Sequence, residues 1–594
     1  MPGRGTHSQT IADLLPKAAD LYGAKVAIRY KEGEQWISKT FEEVREIVRP
    51  LAFGLVTLGV EKGDRVSILG NTRPEWTYFD YAALSIGATV VPIYQTNSSE
   101  ECRYVLENSD SKVVVVEDTE QLEKVRAVRD QLPKLEQIVM MTGSAEDAIS
   151  MEDLAAKGGG GDTATWEALY SAVTPQDICT FIYTSGTTGP PKGCIISHGN
   201  YRAMLDMVND VSVIEDEDVA YLYLPLAHSF ALLIQFGTFD LGTTLAYWER
   251  DPLKILPNLA ELKPTYFPSV PRIFEKIYTA ATSAIEKEGG AKKAIFNWAI
   301  KVGEKMREAE RAGRKPGFLL QRQYDFADKK VLSKIRGLFG GRIRLAVSGA
   351  APINPEILRF FDAAGVLVLE GWGMTETSTA ATISTPDDFK VGTIGKPLPG
   401  CEVKIADDGE ILVKGPNVFQ GYHKNPEATN ETIVDGWLHT GDIGEVDPDG
   451  FIKITGRKKD IIITAGGKNI TPANLEAEIK QHPLVSQCVV VGDRRPYLVA
   501  LVTLDPEEAV KYAQENNLPE DPAQMAANPD VKAAIEAHVE KINQNFARVE
   551  QVKKISILPE DLSQESGELT PTLKVKRAFV AQKHEDAIEQ LYAA

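Results

Sequence analysis

The amino-acid sequence predicts an α/β protein, with a large N-terminal domain built on mainly parallel sheets and a smaller α/β domain after it. Three observations carry this reading. Strand-like and helix-like segments alternate through the first 180 residues, a pattern that favours a parallel sheet covered by helices on both faces. The 594 residues exceed what a single hydrophobic core organises. Near Gly456 the character of the chain changes, through a polar run, Gly456-Arg457-Lys458-Lys459-Asp460, into a new set of strands and helices.

In order, residues 25–30 read as a strand and 40–58 carry helical periodicity. Residues 65–69 read as a strand, 75–86 as a helix, 89–93 as a strand, 100–107 as a helix and 112–116 as a β-branched strand. Gly158-Gly159-Gly160-Gly161 reads as a loop just ahead of the apolar strand 178–182, and 194–198 starts another strand. Beyond Gly456, residues 450–454 and 461–464 are short strands, and Thr471-Pro472 opens a helix with Thr471 as N-cap. Residues 485–491 and 498–504 are strands. The predicted division is 1–456, a hinge at 457–460, and 461–594; no internal repeat is visible.

A formal net charge of -19 and a pI near 5.1 argue against general nucleic-acid binding. Five scattered cysteines without a CxxC pair indicate neither a zinc site nor a disulfide framework, so a reducing cytoplasm is the expected compartment. No segment has the length of a signal-peptide core or a membrane span. Residues 287–344 depart from the acidic average: many lysines and arginines alternate there with Leu319, Leu320, Phe326, Val331, Leu332 and Ile335. A solvated helical face explains this pattern, and so does peripheral contact with an anionic bilayer, which would place the protein on a membrane's inner face. A homodimer is one assembly that the sequence leaves open.

The run Tyr183-Thr184-Ser185-Gly186-Thr187-Thr188-Gly189-Pro190-Pro191-Lys192-Gly193 is the most informative stretch. Glycines let backbone N–H groups approach phosphates, hydroxyls donate to phosphate oxygens, and Lys192 adds a mobile charge. It is not a Walker A loop, because the glycine spacing is too short and no Ser or Thr follows Lys192. An ordinary Gly/Ser turn has the same composition.

The full string resembles the signature of the AMP-forming adenylate synthetases, which include acyl-CoA synthetases, luciferases and peptide-synthetase adenylation domains. That resemblance implies a large domain of stacked α/β sheets with a β-rich subdomain, plus a small mobile C-terminal domain. Further segments follow in the right order. Ser348-Gly349-Ala350 resembles the loop on which the adenine rests. Glu370-Gly371-Trp372-Gly373-Met374-Thr375-Glu376 resembles the motif whose aromatic stacks on adenine, whose threonine bonds the α-phosphate and whose glutamate, here Glu376, holds magnesium. The segment from Asp435 to Lys459 is similar to the fatty-acyl-CoA synthetase signature. By that match Asp442 binds the ribose hydroxyls, Arg457 contacts the nucleotide and Lys459 is the pivot. Gly466-Gly467 matches the loop that meets the CoA tunnel. Near the C-terminus, Lys574 aligns as the adenylation lysine, with Arg577 closing the motif; Lys576 is the competing assignment, and Leu573 stands where the family usually has glycine. His228 matches a loop lining the acyl or CoA passage, a packed histidine being the alternative, and Phe236 and Trp248 are either channel walls or core.

The resemblance, spanning residues 13–577, points to a long-chain fatty acid–CoA ligase using ATP, Mg²⁺ and coenzyme A. A fatty carboxylate would attack the α-phosphorus of ATP, expelling pyrophosphate, and CoA thiol would then displace AMP. Lys574, Thr184 and Glu376 are the expected catalytic groups, and the small domain would swing between the half-reactions. The rivals are a fatty acyl-AMP ligase, a CoA ligase for another carboxylic acid, and a non-enzymatic acyl-binding protein.

Overall fold

The computed structural model describes residues 4–184, 190–464, 469–570 and 574–593. Two large sheets form the body of the N-terminal part. In the first, seven strands run in the order Ile149–Ser150, Gln137–Met140, Val113–Val116, Arg65–Leu69, Thr89–Ile93, Ile178–Thr184 and Lys192–Ser197. All neighbours are parallel except the last pair. Its strands are nearly continuous Val and Ile runs because both faces are covered; Val113–Val116 is buried at every position.

The second sheet has nine strands. Its parallel centre contains Val219–Leu222, Tyr266–Ser269, Leu345–Ser348 and Val368–Trp372, and its edges are antiparallel. An antiparallel sheet follows, from Glu402–Ile405 to Ile452–Arg457. One apolar core spans these N-terminal elements, from Ile11 to Ile452. Separate cores occupy the region from Ile462 onward, around the strands Val485–Val491, Leu498–Leu504 and Val552–Ile557.

The predicted elements through residue 116 lie within one or two positions of those observed. Two local readings are corrected. Gly159, Gly160 and Gly161 form the expected loop, but Gly158 does not belong to it, and the loop does not lead straight into the strand at Ile178. Gly158 ends the helix Met151–Gly158, and a further helix, Thr163–Ser171, follows with Trp166 buried. A Cβ on Gly158 would lie 1.9 Å from the Pro50 carbonyl, and one on Gly54 2.4 Å from that of Leu154. Glycine therefore serves close contact between the Met151–Gly158 and Phe41–Thr57 helices. Thr471 stands at the N-cap of Pro472–Ile479 as expected, but its hydroxyl makes no cap bond and donates to the Thr455 carbonyl at 2.6 Å.

The basic region folds as the helices Gly290–Arg311, Phe318–Ala327 and Ser333–Gly337. Leu332 and Ile335 turn into the core, whereas Leu319 and Phe326 face solvent. Phe236 packs at 5.1 Å from the Tyr201 ring and 6.1 Å from that of Tyr81, so of its two readings the core one holds. All five cysteines are buried thiols. Among the described residues no helix is long and apolar enough to cross a membrane.

Candidate active site

The site forms where the C-terminal ends of both sheets face the first residues after Gly456. Thr184 and Lys192, the residues flanking the phosphate-loop candidate, are register partners on adjacent antiparallel strands. The Thr184 hydroxyl donates to the Lys192 carbonyl at 3.4 Å. This pairing closes the base of the loop; Ser185, Gly186, Thr187, Thr188 and Gly189 lie outside the described residues. The Lys192 ammonium stands 5.0 Å from the centre of the Tyr422 ring, a cation–π arrangement.

The strands Leu345–Ser348 and Val368–Trp372 pair in parallel, with Ser348 opposite Glu370, so two of the predicted nucleotide segments emerge side by side. Ala350 holds φ at +70°, a left-handed conformation that a non-glycine residue adopts at some cost. The buried Ser348 hydroxyl has no hydrogen-bond partner among the described residues. Such a group commonly awaits a ligand or water. Gly349 and Gly371 add no side chain to this surface. At Gly373 a Cβ would fall 2.2 Å from the Thr379 carbonyl, so the turn into Thr375 needs glycine.

Burial pushes the Glu370 carboxyl up to about 8, against the help of the Gly392 N–H, so it holds a proton at neutral pH. Thr375 and Glu376 are buried. One Glu376 oxygen, Oε1, accepts from the Tyr422 hydroxyl at 2.7 Å. A single carboxylate with one oxygen fixed suits magnesium that arrives with nucleotide phosphates, because the ion takes one or two protein carboxylates and keeps other oxygen ligands. No cluster of three metal-ligating side chains is present among the described residues.

Asp442 lies on the long strand Trp437–Val446, opposite Arg457. Its Oδ1 accepts from Arg457 Nε at 2.7 Å, and its Oδ2 from the Trp372 indole N–H at 2.9 Å. These bonds tie the predicted ribose, adenine and hinge-side residues into one cluster. The next residue, Lys458, is fixed to Glu410 and Asp408 at 2.6 Å each, while Lys459 is exposed in a turn. Glu410 also accepts from the Gly441 N–H and bonds the His439 ring.

His228 is the N-cap of the helix Ser229–Leu241, and its Nδ1 accepts from the Phe230 N–H at 3.2 Å. Nε2 therefore carries the proton. The crowded site, and then Lys574, push its ionisation down to about 4, so the imidazole is neutral at physiological pH.

Lys574 comes from the far end of the chain. Its backbone N–H donates to the Thr570 hydroxyl at 3.0 Å, and its carbonyl accepts from the Thr570 N–H at 2.8 Å. Lys574 is exposed as a residue, yet its ammonium loses hydration among its neighbours. This lost hydration, followed by repulsion from Arg457, lowers its ionisation below the usual lysine range, while Asp442 and Glu376 pull the other way. Lys574 thus lies within electrostatic reach of Arg457, Asp442, Glu376 and His228. Lys576, in contrast, is the N-cap of the helix Arg577–Lys583, and Arg577 grips Glu476 with two donors within the C-terminal part. Gly466 and Gly467 lie outside the described residues. Trp248 is half-buried, its ring 6.4 Å from that of Tyr223.

Sequence reasoning passed over Tyr422 and Glu410. Glu410 closes the acidic turn Asp407-Asp408-Gly409, which reads as an ordinary surface turn, and each residue acts through a partner distant in the chain.

The chain belongs to the AMP-binding enzyme family, whose description matches residues 15–423, with an AMP-binding enzyme C-terminal domain over residues 459–594. A long-chain-fatty-acid–CoA ligase, FadD15 of Mycobacterium bovis, is 41% identical over 94% of this chain and 92% of its own length. ACSBG2 of Xenopus laevis, also described as a long-chain-fatty-acid–CoA ligase, is 34% identical over 98% of this chain and 84% of its own. The fold is shared with the adenylation domain of a carboxylate reductase from Mycobacterium chelonae, at a TM-score of 0.80 and 22% identity over 99% of this chain and 92% of that one.

Proposed function

We propose that the protein is an AMP-forming long-chain fatty acid–CoA ligase. In the first half-reaction the fatty carboxylate attacks the α-phosphorus of ATP and pyrophosphate departs. In the second the CoA thiol attacks the acyl-adenylate carbonyl, and AMP departs with the former carboxylate oxygen. The observation that carries this reading is the cluster in which Asp442 accepts from Trp372 and Arg457, with Lys574 from the far end of the chain within its electrostatic reach. A displacement at phosphorus needs positioned charge more than a covalent protein nucleophile. Lys574 and Lys192 supply that charge, with hydrogen-bond donors from residues 184–189. The free Glu376 oxygen, with the substrate phosphates, would hold magnesium, which supplies further neutralisation when bound.

Asp442, held by Trp372 and Arg457, offers its remaining lone pairs to the ribose hydroxyls. Ser348, Gly349, Ala350, Glu370, Gly371, Trp372, Gly373 and Thr375 receive the base and α-phosphate, and His228 presents Nε2–H to the acyl side. Residues 1–456 act as the adenylation domain and 461–594 as a mobile unit pivoting at Lys459. Rotation would withdraw Lys574 and bring Gly466-Gly467 to CoA.

Thioester formation across a ladder of fatty acids, from acetate to very long chains, tests the reading. A maximum among long chains is expected. Adenylate accumulating without thioester would assign the protein to the acyl-AMP ligases, and no reaction with any acid would leave an acyl-binding protein.

The helices between residues 290 and 337 support a second reading, peripheral contact with an anionic bilayer. Phe318 and Leu319 are 75% and 69% exposed, and Arg322 lies over the Phe318 ring at 4.7 Å. Exposed apolar side chains amid lysines and arginines fit a lipid headgroup boundary. Flotation with phosphatidylglycerol vesicles, lost with neutral vesicles and in Phe318→Ser/Leu319→Ser, is the expected result; no flotation at low salt would remove it.

A further inference from the structure

Tyr422 joins two charges that the reaction must hold apart and aim together. Its chain segment runs beside the strand that begins at Lys192: the Ile195 N–H donates to the Gly421 carbonyl at 2.9 Å, and the His423 N–H to that of Gly193 at 2.8 Å. The Thr429 hydroxyl accepts from the Tyr422 N–H at 2.9 Å, and Phe419 packs against the ring at 4.9 Å. The ring is thus fixed on the same backbone as Lys192 and lies under its ammonium, while the hydroxyl reaches Glu376.

We infer that Tyr422 is a positioning residue for the nucleotide's triphosphate and its metal, setting the Glu376 carboxylate and the Lys192 ammonium through opposite ends of one side chain. The hydroxyl occupies Oε1, which leaves Oε2 as the oxygen turned to the metal. The ring gives Lys192 a resting place that is attractive but uncharged. Had an acid held Lys192, approach of a triphosphate would first have to break an ion pair; lifting off an aromatic face costs less. Residues that hold a metal-binding carboxylate typically govern metal affinity by about 10–100-fold.

This inference rests on the proposed nucleotide chemistry, and its test separates the two. Manganese binding in the presence of ATP is read by electron paramagnetic resonance, which needs no turnover. Tyr422→Phe keeps the ring and removes the hydroxyl: manganese should bind about tenfold more weakly, with the magnesium needed for half-maximal pyrophosphate exchange raised equally. Saturating magnesium should then restore most of the exchange rate. Tyr422→Leu removes the ring as well and should in addition raise the ATP concentration for half-maximal binding. Unchanged manganese affinity in Tyr422→Phe overturns the inference. So does an equal loss at all magnesium concentrations, which is the mark of a merely structural role. A wild-type protein that binds manganese and ATP but activates no acid would instead overturn the ligase reading.

Discussion

Asp442 carries two protein donors before any nucleotide arrives, one from Trp372 and one from Arg457. A carboxylate so gripped cannot swing, and it enters the complex already aimed. Asp442→Asn keeps the shape but strips the charge that both partners, Trp372 and Arg457, hold. ATP affinity, measured with a fluorescent analogue, should fall about 10–100-fold, as expected for hydrogen bonds to a charged group. Lys574 is the counterpart from the other end of the chain. Lys574→Ala should cut fatty-acid-dependent pyrophosphate exchange by about two to three orders of magnitude while supplied acyl-AMP is still converted to thioester. Loss of both half-reactions together would overturn the assignment. At this scale the sequence was legible wherever a residue sits in an ordered motif, as Asp442, Glu376 and Lys574 do. It was silent on Tyr422, because a hydrogen bond spanning 46 positions leaves no local spacing to read.

Among elements, the four-glycine run was read only in part: Gly159, Gly160 and Gly161 are loop, Gly158 is not. Composition says loop, yet Gly158 is helical and presses against a neighbouring helix, a fact set by packing that no local pattern contains. The strands at Arg65–Leu69 and Leu498–Leu504, by contrast, were legible to the residue, since their near-complete burial demands mostly apolar, β-branched residues. Gly158→Ala should therefore lower stability by about 1–3 kcal/mol. Gly160→Ala, where an added Cβ meets nothing within 4 Å, should be neutral or slightly stabilising, and urea denaturation compares the two. Two ion pairs join the helix Pro271–Glu288 to the start of Pro506–Asn516: Arg272 with Asp505 at 2.6 Å, and Lys276 with Glu507 at 3.4 Å. They favour the arrangement in which Lys574 lies within electrostatic reach of Glu376. Partly exposed pairs are worth up to about 1 kcal/mol each, so Arg272→Ala/Lys276→Ala should slow adenylation by a few fold and spare the thioester step. High salt should reproduce that effect in the wild type.

Over the whole molecule, acid should be the weak flank. His198 is fully buried, its Nδ1 accepts from the Ile11 N–H at 3.2 Å, and burial pushes its ionisation down to about 4 from an ordinary 6.5. Between those values the unfolded chain binds a proton that the folded one refuses, so stability is full above about pH 6.5 and falls as pH drops towards 4. At about 1.4 kcal/mol per pH unit, His198 alone accounts for about 3 kcal/mol. His198→Asn, which can offer an oxygen where Nδ1 stood, should flatten the stability–pH curve; an unchanged slope would show that other groups dominate. Lys574 leads to a different kind of signal. Its ammonium gives up part of its hydration among its neighbours and is repelled by Arg457. An incoming triphosphate supplies the negative charge that the cleft lacks and raises the amine's hold on its proton. Nucleotide binding in alkaline solution should then draw protons from the buffer, so the heat of binding would depend on which buffer gives them up, and Lys574→Ala would erase that dependence.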